Sequence, residues 1–389
     1  MNRHYLDHAS TSPPRPSVTE TMLHWLQGTP GAGEEYATPA DPGRVHTEGR
    51  QARAVLEDAR DRVADFLGTR SRQVIFTSSG TEAVNAAVWG ATRAHPGSPI
   101  LLAEVEHSSV REASRRLTDV VSLPVDIAGR IDPDAVIAAI ADCGRGGIMP
   151  ALVHCQAANH EVGTLQRFPA IVEICREQGI PVHVDACAAA GRIPLQLDDL
   201  GADLVSISAH KLGGPPGIGA LVIRRGLRFD PLLVGGEQER ARRGGLENIP
   251  AIVGFAAAAE LLADPERMQV EVDRDRIYTD RIAAIGAMVP GVSQLGDPVD
   301  RLPDLICLAI DDVEAEPVLL GLDQAGIAAH SGSSCASESL APSPVLEAMG
   351  VSAERSLRLS VGWSTTEADI DAFAEAFPRV VGQMRALRH

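Results

Sequence analysis

The stretch VSISAHKLGGPPGIGALV, residues 205–222, decides the fold. An apolar run ends at Lys211, a glycine- and proline-rich turn follows, and a second apolar run begins at Gly219. Short apolar runs bounded by such turns are typical of buried strands. A lysine at the end of a buried strand is unexpected, because an ammonium group is costly to remove from water. Lys211 therefore indicates either a chemical role or a surface lysine whose stem lies along apolar residues.

Short apolar runs recur on both sides of this stretch, and helical segments separate most of them. The predicted strands cover residues 73–79, 100–105, 151–156, 180–186, 203–209 and 219–225. Helices are predicted over residues 80–94 and 169–179. Near-continuous apolar strands separated by helices are typical of a parallel sheet with both faces covered. We therefore predict an α/β fold with a mostly parallel sheet covered by helices.

The sequence pattern changes near residue 260, where an alanine-rich helix begins around 255–262. Later strands are predicted at residues 304–311, 326–332 and 355–362. Thr366 and Asp369 form a capping pattern that predicts a helix over residues 365–377. We therefore predict that a smaller α+β unit follows the large one.

The charge and composition of the chain exclude several kinds of partner. The chain has 35 Lys and Arg residues against 52 Asp and Glu residues, a formal net charge of −17 at pH 7. Nucleic acids and anionic membranes bind clustered Lys and Arg, so we expect neither as a partner. No apolar run approaches the roughly 18 residues of a membrane-spanning helix, and no signal-peptide pattern is present. The six cysteines show no CxxC motif or regular spacing, so we expect free thiols and a cytoplasmic location.

Three chemically suited groups, Gly80-Thr81, Asp185 and Lys211, each follow a predicted strand. Ligands of open α/β sheets bind at the carboxyl ends of the strands. Gly80 and Thr81 open a helix whose N–H groups suit a phosphate, although Ser and Thr also cap ordinary helices. Asp185 suits either a helix cap or a ligand cation, and a desolvated Lys211 can form a Schiff base with an aldehyde. Together the three groups are what a protein supplies to pyridoxal phosphate, so we predict this cofactor.

The sequence as a whole resembles the cysteine desulfurases of the class V aminotransferase family, the branch that supplies sulfur for iron–sulfur clusters. The motifs that carry the resemblance are YLDHASTSP (5–13), VHTEGRQA (45–52), IFTSSGTEAVN (75–85), EVEHSSV (104–110), NHEVGT (159–164), HVDACAAAG (183–191), SISAHKLGGPPGIGAL (206–221), GGEQERARRGGLEN (235–248), SGSSCASESLAPSPVLEAMG (331–350) and SLRLSVGWSTTEADID (356–371). The resemblance implies a fold type I pyridoxal-phosphate transferase, with a large cofactor domain over residues 15–260. It also implies a small domain made of residues 1–14 and 261–389, and a homodimer with active sites near its interface.

The resemblance further implies roles for individual residues. Lys211 carries the imine bond to the cofactor and then moves the Cα proton, while His107 stacks on the cofactor ring and assists that transfer. Asp185 pairs with the ring nitrogen. Cys335, on a mobile loop over about 328–342, is the nucleophile that takes the substrate's sulfur as a persulfide. Further predicted contacts are Gly80, Thr81, Ser208 and His210 to the phosphate, His160 to the cofactor ring, and Arg358 and Asn159 to the substrate.

Three positions depart from the family pattern. His160 stands where a second asparagine usually follows Asn159, Ala188 replaces a glutamine, and Leu246 replaces a threonine. In the family, the usual side chains contact the ring hydroxyl of the cofactor or the phosphate in the partner subunit. His160 can replace one hydrogen bond, whereas Ala188 and Leu246 supply no donor. Two lost bonds at about 0.5–1.5 kcal/mol each predict cofactor binding that is weaker by roughly one to two decades.

The expected activity is the conversion of L-cysteine to L-alanine, with the sulfur left on Cys335. The altered ring contacts leave two alternatives open, a cysteine or selenocysteine C–S lyase and a non-catalytic dimeric relative. The arginine-rich run RARRGG (240–245) belongs by resemblance to the interface loop that reaches the other subunit's site. His154, Cys155 and His160 fit no standard zinc spacing, so no metal is expected. The sequence does not identify the sulfur acceptor.

Overall fold

The chain folds into alternating strands and helices in the part that the structure describes. The structure is a computed structural model that describes residues 3–28, 39–331 and 342–387. The strands are β1 (His4–Tyr5), β2 (Val74–Thr77), β3 (Ile100–Ala103), β4 (Val120–Leu123), β5 (Leu152–Gln156), β6 (Val182–Asp185), β7 (Leu204–Ser208), β8 (Gly219–Ile223), β9 (Val292–Leu295), β10 (Leu305–Ile310), β11 (Ile327–Ala328) and β12 (Ser356–Ser360). The helices are α1 (Pro16–Gln27), α2 (Thr47–Phe66), α3 (Gly80–Ala94), α4 (Ser108–Leu117), α5 (Pro133–Arg145), α6 (Phe168–Gln178), α7 (Leu197–Leu200), α8 (Gln238–Ala241), α9 (Ile249–Ala263), α10 (Pro265–Ala287), α11 (Ala315–Gln324), α12 (Pro344–Ala348) and α13 (Glu367–Ala386). The predicted nucleophile Cys335 and most of its loop lie outside the described residues.

A seven-stranded sheet in the order β2-β8-β7-β6-β5-β3-β4 forms the centre of the larger unit. The strands from β7 to β4 pair in parallel, whereas β8 is antiparallel to both of its neighbours. The prediction of a mostly parallel sheet is confirmed, and all six predicted strands of this region form. Strand β4 was not predicted, because it is an edge strand whose residues are only partly buried.

The antiparallel strand β8 follows from the stretch that opened the sequence analysis. Parallel neighbours require a long crossover connection, whereas antiparallel neighbours can be joined by a short turn. Only residues 209–218 separate β7 from β8, and they include a 3-10 turn at Ala209–Leu212 that Gly213 closes at φ 76°. The glycines and prolines therefore return the chain directly, and they place Lys211 at the carboxyl end of β7.

Apolar side chains on both faces of the sheet are buried, which accounts for the near-continuous apolar strands. On one face, Val74 and Val205 pack with Leu56 of α2 and Phe255 of α9. On the other face, Ile75 belongs to a second cluster, together with side chains of α3 and α4. Alternate strand residues face opposite sides, so both sides need a cover of helices.

A smaller unit surrounds a three-stranded antiparallel sheet in the order β12-β10-β9 and a two-stranded parallel pair of β1 with β11. Its separate apolar core contains Leu6 together with residues between Tyr278 and Val381. The predicted capping box begins α13, because the Thr366 backbone N–H donates to Asp369 Oδ2 at 2.7 Å. The predicted strand at 326–332 forms over only two residues, Ile327 and Ala328.

The connection between the two units lies at Asp264, between α9 and α10. Helix α9 packs in the core of the larger unit, and α10 contributes Tyr278 and Ile282 to the smaller one. The alanine-rich helix begins at Ile249, earlier than predicted. We infer that the large and small domains divide at this point. No helix in the described ranges has the length and apolar character needed to cross a membrane.

Candidate active site

A cleft of about 350 Å³ lies at the carboxyl ends of β6 and β7 and at the start of α3. Most of the predicted functional residues, although distant in sequence, line it together. These residues are Gly80, Thr81, His107, His160, Asp185, Ser208, His210, Lys211 and Arg358. This is the edge of the sheet at which open α/β folds bind their ligands.

One end of the cleft has the features of a phosphate site. Helix α3 begins there, with the Ser79 hydroxyl accepting a hydrogen bond from the Glu82 N–H at 3.1 Å. The Ser208 hydroxyl is buried and has no hydrogen-bond partner within the described part of the chain. A Cβ atom at Gly80 would lie 2.6 Å from the Cys187 sulfur, so only glycine fits this wall. Free N–H groups at a helix start and an unpaired hydroxyl suit an anion.

Gly219, at the start of β8, allows this loop to lie against the sheet. A Cβ atom there would lie 2.6 Å from the carbonyl carbon of Ser79 and 2.9 Å from the nitrogen of Gly80. Gly219 also pairs with Ser208 across β7 and β8. The helix start and the turn of Lys211 therefore meet at one backbone contact.

Asp185 ends β6 and is 8% exposed. Its Oδ1 accepts hydrogen bonds from the Cys187 N–H at 2.9 Å and from the Ser206 hydroxyl at 3.2 Å. Burial raises the pKa of Asp185, but the proximity of His183 and the hydrogen bond from Cys187 outweigh it and leave the pKa below its ordinary value. The carboxylate is therefore ionised, which suits a partner for a protonated ring nitrogen.

Glu106 is a second buried carboxyl group near Asp185 that the sequence analysis did not single out. Its Oε1 accepts a hydrogen bond from the Gln156 N–H at 2.8 Å, and its Oε2 has no partner in the described ranges. Burial, followed by the charge of Asp185, raises the pKa of Glu106 to about 8. Near neutral pH one carboxyl group is ionised and the other is protonated. The only sequence signal was its place next to His107 in EVEHSSV.

His107 caps α4 and is held in one orientation. Its Nδ1 accepts a hydrogen bond from the Ser109 N–H at 3.1 Å, so in the neutral ring Nε2 carries the proton. Burial, followed by the charge of Lys211, lowers the pKa of His107 to about 4. His160 packs edge-on against it, with ring centroids 5.0 Å apart and an interplanar angle of 67°. His107 therefore presents a neutral imidazole beside the cleft.

Lys211 is half-buried and has histidines around it. Its charge contributes to lowering the pKa of His107, His160 and His210, for each of which burial is the largest cause. The pKa of His210 is lowered to about 4, and its Nδ1 lies 3.2 Å from the Thr11 hydroxyl. Lys211 therefore lines the cleft together with neutral imidazole rings and with the carboxylate of Asp185.

Arg358, at the centre of β12, is 4% exposed and reaches the cleft from the small unit. Its guanidinium donates to the backbone oxygen of His160 at 3.0 Å, to Asp7 Oδ1 at 3.0 Å and to the Ser10 hydroxyl at 2.6 Å. Its Nε is buried without a partner in the described residues. Asp7 and Ser10 were not predicted, because the YLDHASTSP motif gives no sign of which strand it meets.

Asn159, a predicted substrate contact, does not line the cleft. Its Oδ1 accepts hydrogen bonds from the N–H groups of Glu161 and Val162 at 2.8 and 2.9 Å. Its Nδ2 donates to the Val105 carbonyl at 3.1 Å. Asn159 therefore uses its side chain to shape the turn that carries His160.

The positions that depart from the family pattern lie in different surroundings. His160 and Ala188 line the cleft, and both also border a small recess behind Lys211. Leu246 is 63% exposed and lies beside Arg243 in a neighbouring groove. Over residues 3–28, 39–331 and 342–387, no group of three or more His, Cys, Asp or Glu side chains is arranged to hold a metal ion.

Comparisons with known proteins agree with this geometry. A family model described as Aminotransferase class-V matches residues 4–373. The cysteine desulfurase of Cereibacter sphaeroides is 38% identical over 397 residues, covering 100% of this chain and 98% of that protein. The cysteine desulfurase IscS of Dictyoglomus turgidum is 36% identical over 393 residues, covering 98% of this chain and 95% of that protein.

Solved structures share the same architecture over nearly the whole length. The NifS-like protein from Rickettsia africae superposes with a TM-score of 0.87 at 28% identity, covering 98% of this chain and 100% of that one. A structure described as SspA in complex with cysteine superposes with a TM-score of 0.76 at 26% identity, covering 93% of this chain and 100% of that one.

Proposed function

The chain belongs to the class-V aminotransferase family, and we propose that it is a pyridoxal-phosphate-dependent cysteine desulfurase that converts L-cysteine to L-alanine. The observation that carries the proposal is the convergence on one cleft of Lys211, Asp185 and the Ser208 hydroxyl, which has no partner among the described residues. Full-length similarity at 36–38% identity to curated cysteine desulfurases supports the same activity. Its resemblance to the cysteine desulfurase branch suggests a role in iron–sulfur cluster assembly.

The side chains of the cleft fit pyridoxal phosphate. Gly80, Thr81 and Ser208, with His210 beside them, would hold the phosphate. Asp185 would hold the protonated ring nitrogen, and Lys211 would bind the cofactor covalently. When bound, the cofactor withdraws electrons from the Cα of an amino acid.

Lys211 and His107 would have different roles in the cleft. Lys211 is the only lysine in the sequence and lines the cleft, so it is the amine that would move the Cα proton. His107 keeps its Nδ1 bound to the Ser109 N–H and its ring neutral. It can therefore donate a hydrogen bond from Nε2, which would orient a group bound in the cleft.

Arg358 would hold the substrate carboxylate. A guanidinium binds a carboxylate through two parallel hydrogen bonds, and the buried Nε of Arg358 has no partner within residues 3–28, 39–331 and 342–387. The second bond requires one of its present partners, Asp7 or Ser10, to give way. Because Asp7 carries a negative charge, it keeps Arg358 ordered until a carboxylate arrives.

Cys335 would receive the sulfur, and His330 and Ser343 are described residues on either side of it in the sequence. His330 lines the cleft and pairs with Arg358 through backbone hydrogen bonds. The Ser343 hydroxyl donates to Glu161 at 2.6 Å. In the reaction, the Cys335 thiolate attacks the substrate sulfur, the Cβ–S bond breaks and its electron pair returns to the carbon skeleton. Protonation of Cβ then completes alanine, and the sulfur remains as a persulfide.

Product analysis tests the proposed function. The purified protein is given pyridoxal phosphate, L-cysteine and a thiol reductant, and alanine, pyruvate and sulfide are measured together. Alanine equal to sulfide supports desulfuration, and Cys335→Ser is expected to abolish it with protein acceptors. Pyruvate equal to sulfide would instead indicate a C–S lyase, which Ala188 favours because it brings no donor to the cleft. Cys307→Ser, at a buried thiol, is the matched control.

We also infer a homodimer in the cytoplasm. Leu233, Val234 and Leu246 are 41%, 80% and 63% exposed, respectively, and all lie on one segment near the cleft. Exposed apolar side chains of this kind are typical of an interface. Measurement of molar mass in solution tests the dimer, and a monomer at micromolar concentration would contradict it.

A further inference from the structure

A line of buried polar side chains crosses the sheet from helix α4 to Asp185. The Ser114 hydroxyl lies 3.3 Å from His154 Nε2, and His154 Nδ1 lies 2.8 Å from His183 Nδ1. His183 Nε2 lies 3.1 Å from the Ser206 hydroxyl, which lies 3.2 Å from Asp185 Oδ1. Ser114, His154, His183 and Ser206 are all 0% exposed, so no water competes for these bonds.

Strand register places these groups side by side. His154 of β5 is the direct partner of His183 in β6, and Asp185 is the direct partner of Ser206 in β7. Residues two apart in a strand face the same side, so His183 and Asp185 lie on one face. The line therefore crosses three neighbouring strands, and its far end is Ser114 on the helix that His107 caps.

Each hydrogen bond in this line has one possible direction, because each side chain has a fixed number of protons to donate. An ionised Asp185 can only accept, so the one proton of the Ser206 hydroxyl is directed to it. Ser206 must then accept from His183 Nε2, and a neutral His183 has an acceptor at Nδ1. His154 therefore donates from Nδ1 and accepts from the Ser114 hydroxyl at Nε2.

Charge on His183 would break this arrangement. A doubly protonated His183 is a donor at both nitrogens, and its Nδ1–H cannot face the Nδ1–H of His154 across 2.8 Å. Burial lowers the pKa of His183 to about 4 and that of His154 well below its ordinary value. Both rings are therefore neutral near pH 7, as the directions require.

We propose that Ser114, His154, His183 and Ser206 form a one-way hydrogen-bond chain that keeps Asp185 ionised and oriented toward the cofactor's ring nitrogen. The part that concerns the ring nitrogen rests on the proposed function, whereas the chain itself does not. Each donor in the chain is polarised by the hydrogen bond that it accepts. The bond from Ser114 therefore strengthens the bond from Ser206 to Asp185. His154 is therefore a positioning residue, although it does not touch the cleft.

The first test reads the tautomers of the two histidines in the full-length protein by ¹⁵N NMR at pH 7.5, with and without pyridoxal phosphate. His154→Asn and His183→Asn variants assign the signals. The chain requires His154 to be protonated at Nδ1 and His183 at Nε2. The opposite tautomers would overturn the proposal, whether or not the protein binds the cofactor.

The second test measures the dissociation constant of pyridoxal phosphate. His154→Leu keeps the volume but removes the donor, and we expect binding to weaken about three- to tenfold. His154→Asn restores an N–H donor near the position of Nδ1 and is expected to recover most of that affinity. Cys155→Ala, at the next residue of β5 and equally buried, is the matched control.

Each outcome of the second test is decisive. If His154→Leu binds the cofactor as tightly as Cys155→Ala does, the link to the cofactor is wrong. If His154→Leu does not fold, Ser114→Ala, which removes the first donor, is measured in its place with the same expectation of weaker binding. Failure of the unaltered protein to bind pyridoxal phosphate would contradict the proposed function. The tautomers of His154 and His183 would still show whether the hydrogen-bond chain exists.

Discussion

Arg60 and Glu239 form a two-pronged ion pair in the core, with Nη1–Oε2 and Nη2–Oε1 distances of 2.5 and 2.8 Å. The Phe76 N–H also donates to Glu239 Oε2 at 3.0 Å, and the Arg60 guanidinium lies over the Phe76 ring. Glu239, Arg240 and Ala241 have left-handed backbone angles, so this turn is held by its buried side chain rather than by local preference. The same loop carries Arg243, which pairs with Glu82 at the start of α3.

Replacing Glu239 with glutamine is expected to lower the free energy of unfolding by about 3–5 kcal/mol, because the buried Arg60 would lose its two-pronged partner and keep only the contact with Glu57 at 3.4 Å. Urea unfolding of the cofactor-free protein measures this loss. Asp371→Asn, which removes an exposed partner of Arg281, is the control and is expected to cost less than about 1 kcal/mol. Equal losses for the two variants would contradict the importance of the buried pair.

Ala241→Gly is expected to stabilise the protein. Ala241 has a φ of 60°, a conformation that costs an L-residue about 1–2 kcal/mol and costs glycine little. The extra flexibility of glycine in the unfolded chain offsets part of this effect. The free energy of unfolding is therefore expected to rise by about 0.5–1 kcal/mol. Ala138→Gly, on the exposed side of α5, is expected to lower the free energy of unfolding by about the same amount. Thermal unfolding compares the two variants. A loss at both positions would be the contrary result.

The pH dependence of stability between about pH 4.5 and pH 8 is expected to depend on Glu106. Its folded pKa of about 8 lies above the ordinary value of 4.5, so the native protein keeps a proton that the unfolded chain releases. The stabilisation is complete below about pH 4.5 and is lost as the pH rises through 8. Glu106→Gln is therefore expected to lose less stability than the unaltered protein between pH 6 and pH 9. Parallel curves for the two proteins would show that Glu106 is not the titrating group.

Acid is expected to destabilise the protein below pH 6.5 through its buried histidines. Burial lowers the pKa of His8 to about 3 and the pKa values of His107 and His183 to about 4. Their stabilisation is present above the unfolded value of 6.5 and is lost as the pH falls through the folded values. His8→Asn is expected to reduce the slope of unfolding free energy by about 1.4 kcal/mol per pH unit. His95→Asn, at an exposed ring, is the comparison, and an equal change of slope for both variants would contradict the role of His8.

Leu246→Thr is expected to tighten pyridoxal phosphate binding about three- to tenfold, by adding a hydroxyl to the proposed phosphate site of the partner subunit. Leu246 is 63% exposed, so the change has little effect on folding. Equilibrium dialysis of the dimer measures the affinity. Leu233→Thr, on the same segment, is the control, and an equal effect of both changes would rule out a specific contact.

Sequence patterns predicted the large sheet because its strands are buried on both faces and punctuated by glycine and proline. They missed β4, since a half-buried edge strand has no continuous apolar run. They also placed the start of α9 too late, although Asn248 and Pro250 mark it: the Asn248 side chain accepts a hydrogen bond from the Ala251 N–H.

At the site, motifs identified the residues that line the cleft but not the ones behind them. Glu106 and His183 lie within recognised motifs, yet only burial gives a carboxyl group or an imidazole its unusual protonation. The contact of Asp7 with Arg358 joins positions near opposite ends of the chain, and no local pattern reports such a meeting. Asn159 was assigned to the substrate by resemblance, and its side-chain bonds within the turn of His160 could not be seen in the sequence.

The close approach at Gly219 fixes the distance between the turn of Lys211 and the Ser79–Gly80 loop. The backbone of the Ser79–Gly80 loop rests on β8 where a methyl group would otherwise stand, and the turn of Lys211 leaves β7 from the paired position. The span from the Lys211 amine to the proposed phosphate site therefore depends on the absence of a side chain at Gly219. A single methyl group at position 219 would push this loop away from β8 and widen that span.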